Sequence, residues 1–267
     1  MSERMPVVFV SHGAPDTLLK APDTVARWRE LGLTIPEPKA ILVVSAHWEA
    51  RHPTASLSGA PETIHDFSGF SPQLYRIQYK APGAPALAER VVTLLSTAGI
   101  AADLHPNRGL DHGAWVPLSV MYPHAGIPVT QLALERNSSP AANFSLGQSL
   151  QPLRDEGVLI VASGAITHNF GWLDWHATNQ QAPLPQAAKF SNWVAGHLAA
   201  QDVTSLLDYR STSPYGAEAH PSEEHFLPLF IALGASAGAI PTRFQSDFTY
   251  GALSMDAYLW GESEDMH

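Results

Sequence analysis

A chain of 267 residues, 45% hydrophobic and 15% charged, is long enough to bury a core and too apolar to stay disordered. With 15 Lys and Arg against 25 Asp and Glu, its formal net charge of −10 repels phosphate backbones and anionic membranes, so neither nucleic acid nor a membrane is expected as partner. There is no cysteine, which excludes disulfides, thiolate metal sites, iron–sulfur clusters and a thiol nucleophile; any metal must be held by imidazole, carboxylate, carbonyl or water.

In chain order, the first element is the β-rich run Val7-Val8-Phe9-Val10, which ends at Ser11-His12-Gly13 and is too short for a signal-peptide core. A helix is predicted over 24–31 with Asp23 as its N-cap. A second apolar run over 40–45 ends at Ala46-His47-Trp48. Both runs lack polar alternation, as strands buried on both faces of a parallel sheet require. The Pro-, Gly- and Ser-rich stretch 52–82 reads as loop with short strands. Leu87, Val91, Leu94 and Leu95 then stand at helical spacing, with Gly99 where a C-cap belongs. A strand over 127–134 and a helix over 143–156, closed by Gly157, come next. The following strand, 158–162, runs into Ser163-Gly164-Ala165-Ile166-Thr167-His168. Helices are expected over 187–200 and 223–233, and the tail 244–260 adds a final strand. The apolar stretch 226–240 is broken by Pro228, Gly234 and Gly238 and is too short to span a bilayer, so a cytoplasmic protein is expected. The alternation of strands and helices predicts an α/β fold, one domain over 1–267, with a central, largely parallel sheet flanked by helices.

Histidine is over-represented, with 13 residues against 15 Lys and Arg together. His12, His47 and His168 each follow an apolar strand through a short Ser-containing turn. Open α/β sheets bind ligands beyond the carboxyl ends of their strands, so parallel strands would bring these three imidazoles to one edge. Charged imidazoles repel, so a compact cluster uses neutral rings, and a divalent metal is the usual reason. Taken singly, each is as well read as a hydrogen-bonded strand-end residue. The equivalent settings of His12 and His47, beside the small Gly13 and Ala46, favour ligands.

His225 lies in His220-Pro221-Ser222-Glu223-Glu224-His225, in the first turn of the predicted helix with Ser222 as N-cap. That spacing is not the His-Glu-x-x-His zinc motif, and alone it reads equally as a capped surface helix. His112, in Gly109-Leu110-Asp111-His112-Gly113, is either a helix start or a place where glycines let a substrate approach the backbone. His65, in Thr63-Ile64-His65-Asp66-Phe67, has the same reading, as a second candidate for substrate binding. His52, His105, His124, His176 and His197 are read as structural.

Taken together, Ser11-His12-Gly13-Ala14-Pro15, Ser45-Ala46-His47-Trp48, Thr63-Ile64-His65-Asp66-Phe67, Leu110-Asp111-His112-Gly113, Ala162-Ser163-Gly164 to His168-Asn169 and Glu224-His225-Phe226-Leu227-Pro228 resemble the class III extradiol ring-cleavage dioxygenases. The similarity is greatest to the DOPA 4,5-dioxygenase-like branch and runs from about residue 6 to 255. The resemblance implies a mononuclear non-haem iron(II) site that opens a catechol beside its diol with O₂. Carried over, His12, His47 and His225 become metal ligands, and His168 a proton-transfer residue that also completes the shell when no substrate is bound. His112 lines the oxygen and substrate pocket.

Two departures stand out. Ala14 replaces the Ser of many relatives, and the third ligand is His225 where the protocatechuate-cleaving branch has a carboxylate. Three neutral ligands leave more positive charge for a dianionic catecholate and discriminate iron from zinc less well, so Zn(II) is expected to be able to occupy the site on purification. The implied partners are a small aromatic diol and O₂, with the oligomeric state left open. A zinc hydrolase using a metal-bound water with His168 or Glu224 as base, or an inert metal-binding protein, are the competing expectations.

Overall fold

The two apolar runs form strands of one sheet, separated by a single strand between them. In the computed structural model, which describes residues 4–177 and 181–261, the first is β1 (Val7–Ser11), buried throughout. The second is β2 (Ala40–Ala50), longer than its apolar run because it continues through His47. They are followed by β3 (Thr54–Ser56), β4 (Asp103–His105), β5 (Val129–Glu135) and β6 (Val158–Gly164). The tail supplies β7 (Thr242–Phe244), β8 (Phe248–Thr249), β9 (Leu253–Ser254) and β10 (Ala257–Trp260) instead of one strand.

Eight of these strands hydrogen-bond in the order β4-β3-β5-β2-β6-β1-β10-β7, and β8 and β9 form a separate pair. The core β5-β2-β6-β1 is parallel, as expected, while β3–β5, β1–β10 and β10–β7 are antiparallel. Side chains alternate across the central strands. Phe9, Leu42, Val44, Ile160 and Ala162 therefore face one core, with helices Pro85–Thr97, Pro140–Ser149, Pro185–Ala199 and Leu227–Ala235 packed on it. Val8, Val10, Ile41, Val43, Leu159 and Val161 face a second core under helices Pro22–Thr34 and His112–Met121. Each fully buried aliphatic side chain in these layers contributes about 1.5–3 kcal/mol, which holds the central strands in register beneath the site.

Several boundaries differ from the sequence reading. The first long helix begins at Pro22 with Ala21 before it, not at an Asp23 cap, because proline at the first helical position needs no N–H partner. The helix expected over 143–156 is two, Pro140–Ser149 and Pro152–Asp155, broken ahead of Pro152. No helix among the described residues is long and apolar enough to cross a membrane.

Candidate metal centre

Because β2, β6 and β1 are adjacent and parallel, their carboxyl ends share one edge of the sheet. His12 follows β1 directly and its backbone N–H donates to the Gly164 carbonyl at the end of β6. His47 sits within β2, in a register shift against β5 between Val44 and Glu49. Such an irregularity re-aims a side chain that regular pleating would send elsewhere. His225 comes from a turn just before helix Leu227–Ala235, not from within its first turn, and Ser222 bonds the Glu224 carboxylate rather than a helix N–H. Its carbonyl accepts from Ala165 N–H, an approach possible only because a side chain on Gly164 would collide with that carbonyl.

The Nε2 atoms converge. His47 Nε2 lies 3.0 Å from His12 Nε2 and 3.3 Å from His225 Nε2. Nitrogens about 2.1 Å from one ion are about 3.0 Å apart at a right angle and about 3.4 Å apart at the tetrahedral angle. Protons on the other ring nitrogens follow from their partners. Ser163 Oγ donates to the Gly113 carbonyl, so at 2.9 Å from His12 Nδ1 it accepts, and His12 Nε2 carries a lone pair. His225 Nδ1 donates to Glu224 Oε1 at 2.9 Å, which leaves its Nε2 likewise unprotonated. A single proton on His47 Nε2 would serve one of these lone pairs well, whereas a cation serves all three nitrogens. Histidines locked from behind by a hydroxyl or carboxylate are the arrangement metal ligands require.

Electrostatics agree. Burial, then the neighbouring imidazoles His47 and His225, hold His12 well below the ordinary imidazole range. Burial, then His168 and His47, do the same to His225. His47 is lowered to about 4, mainly by burial and by His112, against the opposing pull of Asp111 and Asp66. The rings are thus neutral and able to ligate at neutral pH.

His168 lies flat on His225, with centroids 3.5 Å apart and planes at 8°. The in-plane lone pairs of the two rings therefore lie in separate, parallel planes, and the ring nitrogens of His168 make no hydrogen bond among the described residues. Burial lowers its pKa, with Glu224 acting the other way. His112 starts helix His112–Met121, 3.9 Å centroid to centroid from His47. Its Nδ1 is 3.0 Å from Asp66 Oδ2 but poorly aligned for a hydrogen bond, while its backbone N–H donates to Asp66 Oδ1 at 2.9 Å. Burial would raise the Asp66 pKa, but the contacts with His112 outweigh it and bring the group to about 2.

Potential donors form two adjoining groups: His12, His47 and His112, and His168, Glu224 and His225, each within 4.8 Å. The His47–His225 distance joins them. His225 is the better third ligand than His112, because its back nitrogen is committed to Glu224 in a short, aligned bond.

The rings line a cavity of about 290 Å³, with aromatic walls from Phe67, Phe70, Phe170 and Trp175. His65, expected at the substrate pocket, lies outside it: its Nε2 bonds the Ile77 carbonyl at 3.0 Å. Its neighbour Asp66 lines the cavity. Nor do the glycines flanking His112 make room for a substrate; a Cβ on Gly113 would meet Ser45 and His47, so that glycine lets the helix pack close against His47. Beneath His47, buried Asp111 accepts from Ser45 Oγ at 2.7 Å and Gln131 Nε2 at 2.7 Å, and pairs with Arg108 at 3.2 Å. Asp66, Ser163 and the orienting contact of Glu224 are features the sequence reading did not assign, although all three residues lie inside the quoted motifs.

The comparisons with known proteins fit this geometry. Residues 6–255 match the model of the catalytic LigB subunit of aromatic ring-opening dioxygenase. A protein of Escherichia coli K12 named 4,5-DOPA dioxygenase extradiol is 40% identical over 261 residues, covering 95% of this chain and 94% of its own. One of the same name from Beta vulgaris is 41% identical over 238 residues, covering 85% of each. The crystal structure of an uncharacterized Escherichia coli K12 protein superposes with a TM-score of 0.80 at 36% identity, covering 97% of this chain and 100% of that one.

Proposed function

Since the chain belongs to the LigB family of aromatic ring-opening dioxygenases, we propose that it opens a catechol beside its diol with O₂, using one iron(II) held by His12, His47 and His225. The observation that carries this reading is the meeting of three neutral imidazoles, two of them with their Nε2 lone pairs fixed from behind, at the floor of an aromatic cavity. When bound, the iron(II) supplies the electronic pathway between a catecholate and O₂ that amino-acid side chains lack.

The chain's own groups have separable roles. Ser163 and Glu224 hold the rings of His12 and His225 in the ligating tautomer. His168, neutral and uncommitted, takes a hydroxyl proton from the catechol at a ring nitrogen and returns it when the ring opens. Its flat stacking on His225 supports this role over that of a fourth ligand. His112, fixed by Asp66 and packed against His47, flanks the reacting diol and O₂. His65 has no part, its ring being committed to the Ile77 carbonyl. The aromatic walls place apolar surface beside the opening ring.

Anaerobic loading with iron(II), followed by exposure of a small catechol panel to oxygen, tests the reading. Oxygen consumption with formation of a muconic semialdehyde is expected. Hydrolysis of esters or amides under zinc, without oxygen uptake, would replace it with the hydrolase.

A further inference from the structure

The walls of the cavity have a chemical bias of their own. Above the histidines they are formed by Phe67, Phe70, Phe170, Leu173, Trp175 and Leu253, with Ser68 and Asn169 as small polar interruptions. Phe170 and Trp175 are 67% and 51% exposed and stand together at this one cavity, so they add contiguous apolar surface against which an apolar group can lie. No Lys or Arg lines the cavity, and the residues outside the described segments, 1–3, 178–180 and 262–267, contain neither type. Lys20 belongs to an adjoining depression that shares Ser68, Phe70 and Trp175, and there its Nζ is 2.8 Å from the buried carboxylate of Asp16. Among the described residues, the one carboxylate lining the cavity, Asp66, is engaged with His112.

An anionic substituent on the substrate would therefore leave water for an aromatic wall with no cation to receive it, and would approach Asp66. A carboxylate desolvated without a partner is strongly disfavoured, while an alkyl or aryl group gains from the same burial. We infer that the preferred substrate is a catechol whose ring substituent is uncharged and apolar, not one carrying a carboxylate. This rests on the ring-opening reading for the identity of the diol head, but the bias of the walls is independent of it. It also separates this chain from what the names of the relatives indicate, since DOPA carries both a carboxylate and an ammonium group.

The test is a matched pair of equal chain length, 4-propylcatechol and 3-(3,4-dihydroxyphenyl)propanoate. Each is titrated anaerobically into iron(II)-loaded protein for Kd, then supplied with oxygen for kcat/KM. A preference of about tenfold or more for the propyl compound is expected in both measurements. Phe170→Arg, at a 67% exposed position whose ring meets His168 edge-on, should narrow that ratio in Kd, a readout that does not depend on turnover, by supplying the missing cation, while Lys20→Met should leave it unchanged. Equal or tighter binding of the carboxylate, a ratio untouched by Phe170→Arg, or a ratio altered by Lys20→Met would overturn the inference. Binding with the expected preference but no ring opening would overturn the dioxygenase reading and leave the inference standing. Turnover without the preference would do the reverse.

Discussion

His168 and His225 are stacked face to face, 3.5 Å between centroids and 8° from parallel, and of the two it is His225 whose Nε2 lies 3.3 Å from His47 Nε2. Replacing either residue should therefore have different consequences. His168→Ala is expected to keep most of its iron while turnover falls by about 10²–10⁴, the usual range for a lost general acid or base. His12→Ala, His47→Ala and His225→Ala are expected to lose iron and activity together. Metal content per chain decides: a His168→Ala protein as metal-poor as His47→Ala would make His168 a ligand and move the proton-transfer role elsewhere.

If His12, His47 and His225 hold the metal as proposed, the groups behind them should contribute to its affinity. Ser163→Ala removes the acceptor for His12 Nδ1–H, and Glu224→Ala removes that for His225 Nδ1–H. Each should weaken metal binding by about 10–100-fold. Glu224→Gln, which retains a side-chain oxygen acceptor, should weaken it less than Glu224→Ala. Competition against a chelator of known affinity measures this without reference to turnover, and affinities equal to wild type would show that the rings are oriented by packing alone.

Part of this site is legible in the sequence and part is not, for identifiable reasons. The apolar runs before Ser11 and Ser163 are local signals for strands buried on both faces, and they led directly to β1, β6 and the edge where His12 and His168 lie. The shifted register that aims His47 is a relation between β2 and β5, and nothing within 40–50 announces it. His65 and Asp66 are adjacent and chemically plausible alike, and only the orientation of the loop decides that Asp66 faces the cavity. His225 resembled a residue within a capped helix because Ser222 has the right spacing. Its place in a turn depends on the contact with β6 that Gly164 permits.

That contact predicts a specific sensitivity. Gly164→Ala puts a methyl group against the His225 carbonyl, where backbone rather than a flexible side chain must yield. A loss of about 1–3 kcal/mol of stability is expected, together with weaker metal binding as His225 is pushed away from His47. Denaturant unfolding and metal titration of the same sample check both. Wild-type values in both would mean that this approach is not required.

Acid should destabilise the metal-free protein partly through a histidine outside the metal site. His220 is fully buried, and although its Nε2 donates to the Ile166 carbonyl, burial lowers its pKa from 6.5 to about 3. Phe190, Tyr209 and Phe226 surround the ring, and Arg210 donates to its carbonyl. Between these two pKa values the unfolded chain binds a proton that the folded chain does not, so stability declines as pH falls through that window, by about 1.4 kcal/mol per pH unit for this group. In urea titrations of metal-free protein from about pH 6.5 downward, His220→Gln should flatten the slope by roughly one proton. An unchanged slope would mean that His220 is protonated in the folded state.

The most direct test of the account compares the same protein loaded with two metals. Iron(II)-loaded protein, prepared anaerobically and mixed with an apolar catechol in air, is predicted to consume one O₂ for each ring opened, while zinc-loaded protein consumes none and regains activity on exchange to iron(II). Imidazole ligands accept both ions, so binding alone does not distinguish them. Ring opening by a zinc form verified as iron-free, or no oxygen uptake by the fully iron-loaded form across the panel, would contradict an iron(II) dioxygenase built on His12, His47 and His225.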